Sequence, residues 1–86
     1  MYVIGVYDIA QKRVGKMHKL FKQYLIWIQN SVFEGEITKG SLMELKMRAK
    51  KIMDEDDSLI FFHSRDSKWL NKEIIGKERN STDNFI

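Results

Sequence analysis

The sequence predicts an α+β sandwich in which one antiparallel sheet carries two helices on a single face. Three observations lead there: short runs rich in β-branched and aromatic residues, two stretches of helical apolar periodicity, and the order in which the two kinds alternate. The first run, Tyr2-Val3-Ile4-Gly5-Val6-Tyr7, has no charge before Asp8, the first charged residue of the chain. A strand without apolar/polar alternation is expected to be central and covered on both faces. Asp8 ends it where the chain breaks toward a helix, a place where sheets present functional groups and where Asp also turns or caps the chain.

The elements follow in order. From Arg13 to Leu25 the residues Val14, Met17, Leu20, Phe21, Tyr24 and Leu25 recur at helical spacing, with Lys12, Lys16, Lys19 and Gln23 on the other side. His18 stands at the border of the two faces, which suits a solvated or edge-packed histidine better than a ligand. The stretch from Trp27 to Ile37 reads as one strand with Ile28 and Val32 toward the helices. Its other face, with Trp27, Gln29, Ser31 and Phe33, has the mixed aromatic and polar composition of a contact surface. A second helix is expected from Thr38 to Met53, starting at Thr38 or at the Ser41–Glu44 capping box, with Leu42, Leu45, Ala49, Ile52 and Met53 as its buried stripe. The acidic run Asp54-Glu55-Asp56-Asp57 lacks the alternating ligands, mid-loop glycine and closing glutamate of an EF-hand, so it reads as a solvated turn. Ser58 to His63, apolar on both faces, reads as another central strand, and Trp69 to Gly76 as a polar edge strand.

This order, βαβ followed by αββ, is that of a ferredoxin-like βαββαβ-type sandwich with an extra C-terminal strand or tail. The expectation is a single domain over residues 1–86, with 77–86 as a tail that packs on a partner subunit, because Phe85 and Ile86 are otherwise left in water. An open sheet face bearing Trp27, Ser31 and Phe33 calls for a second copy of the chain, since two-fold homodimers are the commonest oligomers.

Composition narrows the function. With no cysteine, disulfides and thiolate metal sites are excluded. No apolar run approaches a bilayer span, and no basic stretch leading into an apolar core marks a signal peptide, so a cytoplasmic protein with no membrane partner is expected. Fifteen basic against twelve acidic residues is a mild excess, but it is unevenly spread. Between Asp8 and Glu34 stand Lys12, Arg13, Lys16, Lys19 and Lys22 with no acid among them. Lys12, Arg13, Lys16 and Lys19 on an exposed helix face suit either a merely solvated surface or phosphate contacts that hold nucleic acid without reading its sequence. Asp8 is the one candidate for a hard-cation ligand, and Mg2+ or Mn2+ would take one or two such carboxylates with water and phosphate filling the rest. A small-molecule regulatory domain, the remaining class for such a sandwich, would need a phosphate-cradling glycine motif that the chain lacks.

Several segments also resemble a known family. Tyr2-Val3-Ile4-Gly5-Val6-Tyr7-Asp8-Ile9, Ile28-Gln29-Asn30-Ser31-Val32-Phe33-Glu34-Gly35, Trp69-Leu70 with Gly76-Lys77-Glu78, and Thr82-Asp83-Asn84-Phe85-Ile86 look like the small CRISPR-associated protein Cas-two, essentially end to end. The resemblance implies a ferredoxin-like homodimer whose open sheet faces pack together and whose C-terminal segments add to the partner's sheet. It implies work in spacer acquisition, the dimer bridging two dimers of the integrase Cas-one along duplex DNA. For some members it also implies a metal-dependent endonuclease acting on single-stranded RNA or duplex DNA, with the acid matching Asp8 as metal ligand and catalytic residue. Trp27 stands where many members carry Arg, which weakens the nuclease reading more than the scaffold reading.

Overall fold

The structure is a computed structural model, and it describes residues 1–77. Strand β1 (Tyr2–Asp8) leads through helix α1 (Gln11–Lys22) to β2 (Ile26–Gln29) and β3 (Val32–Glu36), and helix α2 (Lys39–Ile52) then leads to β4 (Ser58–Ser64) and a short 3-10 turn, Ser67–Trp69. The sheet order is β2-β3-β1-β4 with every neighbouring pair antiparallel. This is the α+β, ferredoxin-like arrangement expected, with both helices sharing one core against one face.

The core is organised at Gly5. Its cross-strand neighbours are Phe33 on β3 and Phe61 on β4, and Phe21 of α1 lies over the gap that its missing side chain leaves. Phe21 is tilted against Phe33 at 5.1 Å between ring centroids and stacks on Phe61 at 5.9 Å. Around this aromatic group pack Val3 and Tyr7 from β1, Met17 and Leu20 from α1, and Leu42, Leu45 and Ala49 from α2, all buried. Helix α2 starts at Thr38, whose hydroxyl accepts the Ser41 N–H at 3.1 Å, so of the two expected starts the threonine cap is used. Helix α1 ends with Lys19 and Lys22 in its last turn, where cations complement the exposed carbonyls.

Four expectations are corrected. The stretch from Trp27 to Ile37 is a hairpin of two strands, turned at Asn30, whose φ of 45° is one that Asn tolerates better than most residues. The turn is tied by Trp27 Nε1 donating to the Asn30 carbonyl at 3.0 Å. The faces of this stretch are reversed: Trp27 and Phe33 point under the helices, Phe33 fully buried, whereas Ile28 and Val32 lie on the open face. The physical reason is Gly5, which opens room for aromatic rings only on the helix side. The strand from Ser58 is an edge of the sheet and not central, and its apolar outer residues Ile60 and Phe62 are 50% and 57% exposed on the open face. Correspondingly, only the helix side of β1 is deeply covered, while Tyr2, Ile4 and Val6 are half-buried on the other.

Finally, Trp69 to Gly76 forms no strand. Residues 70–75 run across the open face beside Ile4, Ile28 and Val32, and the Lys72 ammonium pairs with the carboxylate of the nearly buried Glu34. Phe85 and Ile86, and all of the 77–86 tail beyond Lys77, lie outside the described residues.

Adding a methyl group at Gly5 would place it 2.9 Å from Phe21 Cε2 and 3.0 Å from Phe61 Cε1. Gly5→Ala is therefore expected to lower stability by roughly 1–3 kcal/mol, the usual penalty for overpacking a core. Gly15→Ala, on the exposed side of α1 with nothing within 4 Å, should raise it by up to about 1 kcal/mol. Urea unfolding of the two variants reads both signs.

Candidate nucleic-acid interface

Asp8 ends β1 opposite Ser58 and is exposed at the mouth of a cleft lined by Tyr7, Ile9, Val14, Asn30 and Ser31. The Tyr7 N–H donates to the Ser31 carbonyl at 3.3 Å, which draws the hairpin turn against this strand end. The Asp8 carboxylate has no hydrogen bond or ion pair with the described residues. Behind the cleft the Tyr7 hydroxyl lies 3.3 Å from His18 Nδ1, and the imidazole packs edge-on to Trp27 and Phe33. Burial, followed by the charge of Lys22, pushes the His18 pKa down, and burial pushes the Tyr7 phenol up. Of the two places its border position allowed, solvated or edge-packed, His18 takes the second.

The acidic turn after α2 does something its sequence concealed. Asp54, Glu55 and Asp56 are exposed as expected, but the Asp57 side chain is only 3% exposed. It accepts Arg13 Nε at 2.6 Å, Arg13 Nη2 at 3.0 Å, the Ala10 N–H at 3.0 Å and the Asp54 N–H at 2.9 Å. Ala10 caps α1 without a side-chain hydrogen bond of its own, so a carboxylate from the turn after α2 holds the start of the helix. The Arg13 guanidinium, with the Asp54 and Ala10 amides, holds the Asp57 carboxyl well below the usual carboxylate range against the opposing effect of burial.

Arg13 therefore stands apart from the other cations of its helix: paired with Asp57 and 3.7 Å from Asp54, it is committed to the fold and is not an open phosphate contact. Lys12, Lys16 and Lys19 are exposed and form no ion pair with the described residues. Together the two helices carry ten basic residues against Glu44 alone, whereas the remainder of the chain has five basic and eleven acidic residues. A net charge of +3 thus hides a strongly positive helical layer and a negative remainder.

A divalent-cation site is not built by the described part of one chain. Asp8 supplies one exposed carboxylate, Asp57 is spent on Arg13, and among the described residues no three His, Asp or Glu side chains come together to hold a metal. Mg2+ or Mn2+ at Asp8 would need its other ligands from water, phosphate or a second chain.

The Arg13–Asp57 contact has a testable pH dependence. Because the folded-state pKa of Asp57 is depressed, its stabilisation is fully present above the unfolded carboxylate value of about 3.9 and is lost as the pH falls toward the folded value. Asp57→Asn should have a lower urea midpoint than the parent near neutrality, and the gap should narrow steadily below about pH 4. A gap independent of pH would show that the carboxylate charge is not what holds the helix start.

The family model for "CRISPR associated protein Cas2" matches residues 1–72. A Methanosarcina acetivorans protein named CRISPR-associated endoribonuclease Cas2 is 44% identical over 87 residues, covering 100% of both chains. Among solved structures, one titled "Crystal structure of cas2" has a TM-score of 0.85 at 48% identity, covering 92% of this chain and 90% of its own. Streptococcus pyogenes Cas2 follows with a TM-score of 0.77 at 31% identity, covering 88% of this chain and 100% of its own. Matched end to end in sequence and over 92% of its length in fold, the chain belongs to the CRISPR-associated Cas2 family.

Proposed function

We propose that this Cas2-family chain is a dimeric nucleic-acid scaffold of CRISPR spacer acquisition, bridging subunits of the integrase Cas-one along duplex DNA. The observation that carries the reading is the positive helical layer, whose lysines form no ion pair with the described residues while the acids gather elsewhere. Such a surface binds the phosphate backbone, releases counterions and confers little sequence preference, as a scaffold on arbitrary foreign DNA requires.

The dimer forms through the open sheet face. Ile26, Ile60 and Phe62, each at least half exposed, surround the half-buried Tyr2, Ile4 and Val6. These residues replace Trp27, Ser31 and Phe33 as the centre of the proposed interface. Residues 1–86 act as one domain whose 77–86 tail, with Phe85 and Ile86, packs on the partner. Phe62→Asp is expected to leave the helix-side core intact and to shift the protein from dimer to monomer at micromolar concentration in sedimentation. A monomeric parent chain would remove the dimer from this reading.

A second reading is favoured by the relatives' name, endoribonuclease, and by the exposure of Asp8 at its cleft. In it Asp8 of each chain holds Mg2+ or Mn2+ for cleavage of single-stranded RNA or duplex DNA, the ion supplying charge for a phosphodiester transition state. Asp8→Asn separates the two readings. It removes the charge a hard cation requires while keeping the size of the side chain, so any metal-dependent cleavage should disappear. Folding, dimerisation and integration into a repeat-containing plasmid with the cognate integrase should persist. Loss of integration together with cleavage in a well-folded dimer would make the chain an enzyme first.

A further inference from the structure

Between the two helices runs a groove of about 360 Å3 whose rims are cationic on both sides. Lys16 and Lys19 line it from α1, Arg48 and Lys51 from α2, with Leu20 and Ile52 in its floor. We propose that this groove is a phosphate clamp for the backbone of duplex DNA, so that α2, through Arg48 and Lys51, contributes as much to binding as α1. The proposal rests on the scaffold reading above and assigns the site to a cleft between helices and not to one helix face.

Three features support it. Each rim pair is three residues apart, about 4.5 Å along its helix, and the helices pack about 8–10 Å apart, so the four charges frame a short, narrow trough. Arg48 is held in place: its Nη1 donates to Gln23 Oε1 at 3.0 Å and to the Tyr24 hydroxyl at 2.8 Å, and its guanidinium sits 5.7 Å from the centre of the Tyr24 ring. The Tyr24 hydroxyl in turn donates to Glu44 Oε1 at 2.7 Å, which keeps the one acid of the helical layer occupied beside Arg48. Nε and Nη2 of Arg48 make no hydrogen bond with the described residues, which leaves donors of a fixed fork for a phosphate oxygen.

The lining also selects the form of nucleic acid. Single strands are held largely by bases stacking on aromatic rings, whereas among the described residues no ring lines the groove, and Tyr24 beside it has Arg48 over its face. The groove itself offers aliphatic floor and cationic rims, which suit the phosphates of a duplex.

The test is the salt dependence of binding to a short DNA duplex of arbitrary sequence. Each lost phosphate contact lowers the slope of log K against log salt by about 0.9. Arg48→Gln with Lys51→Gln should therefore reduce the slope by about 2 and weaken binding roughly thirtyfold at 0.15 M salt, although no α1 cation is touched. Lys39→Gln with Lys46→Gln removes the same charge from the same helix outside the groove, and should leave the slope within about 0.5 of the parent. Equal losses in the two double variants would overturn the groove in favour of diffuse charge. Parent binding that Arg48→Gln with Lys51→Gln does not change would overturn it while leaving the scaffold reading intact, and absent parent binding would defeat both. A single strand of equal length, or an anionic phosphatidylglycerol vesicle, bound more tightly than the duplex through Arg48 and Lys51 would overturn the duplex assignment.

Discussion

Everything in this fold turns on Phe21 lying over Gly5. The central strand gives up a side chain at its midpoint, and three phenyl rings from α1, β3 and β4 converge on the space. That decides which side of the sheet takes aromatic bulk, and so which side the helices cover. Once Phe33 and Trp27 are turned inward, the period-two geometry of strands sends their alternates Val32 and Ile28 outward. The open face is therefore aliphatic at its centre, with Phe62 on its edge strand, and the pairing of Glu34 with Lys72 crosses it.

The same covering places the charges. Helices that bury their apolar stripes on the sheet must present their other sides to water, and here every charged residue of the two helices except Glu44 is basic. The molecule has two unlike surfaces: an apolar sheet face fit for self-association and a cationic helical layer fit for phosphates. The proposed dimer contact and the proposed nucleic-acid contact thus fall on opposite sides of one domain. A chain this small gains from burying its open face, since a short domain covers a smaller share of its surface than a long one.

Arg13 and Asp57 show a charge of the basic helix held by the fold itself. A carboxylate that accepts four N–H groups closes the corner between β1 and α1, the corner at which Asp8 stands. The contact spans 44 residues and joins the start of the first helix to the turn after the second. Asp8 thus sits on a corner anchored from two sides, by Asp57 beyond it and by the hydrogen bond between Tyr7 and Ser31 before it.

Much of this was legible in the residues themselves. Apolar periodicity set the two helices and offered Thr38 as one of two candidate caps, because these depend on neighbours in the chain, whereas an unbroken apolar run marked both β1 and β4 as central and only β1 is. The excess of lysine on the helices could likewise be counted before any fold was known. What the sequence left open depends on partners distant along the chain. Nothing local distinguishes Phe33 from Val32 as the inward residue until Gly5 is placed opposite Phe33. Nothing in an acidic run singles out Asp57 until Arg13 and Ala10 arrive beside it, and nothing in α2 joins Arg48 to Lys16 until the helices pack. Local periodicity is a property of the backbone and reads directly, whereas the facing of a strand, the pairing of a buried charge and the walls of a groove exist only once separate elements share one core.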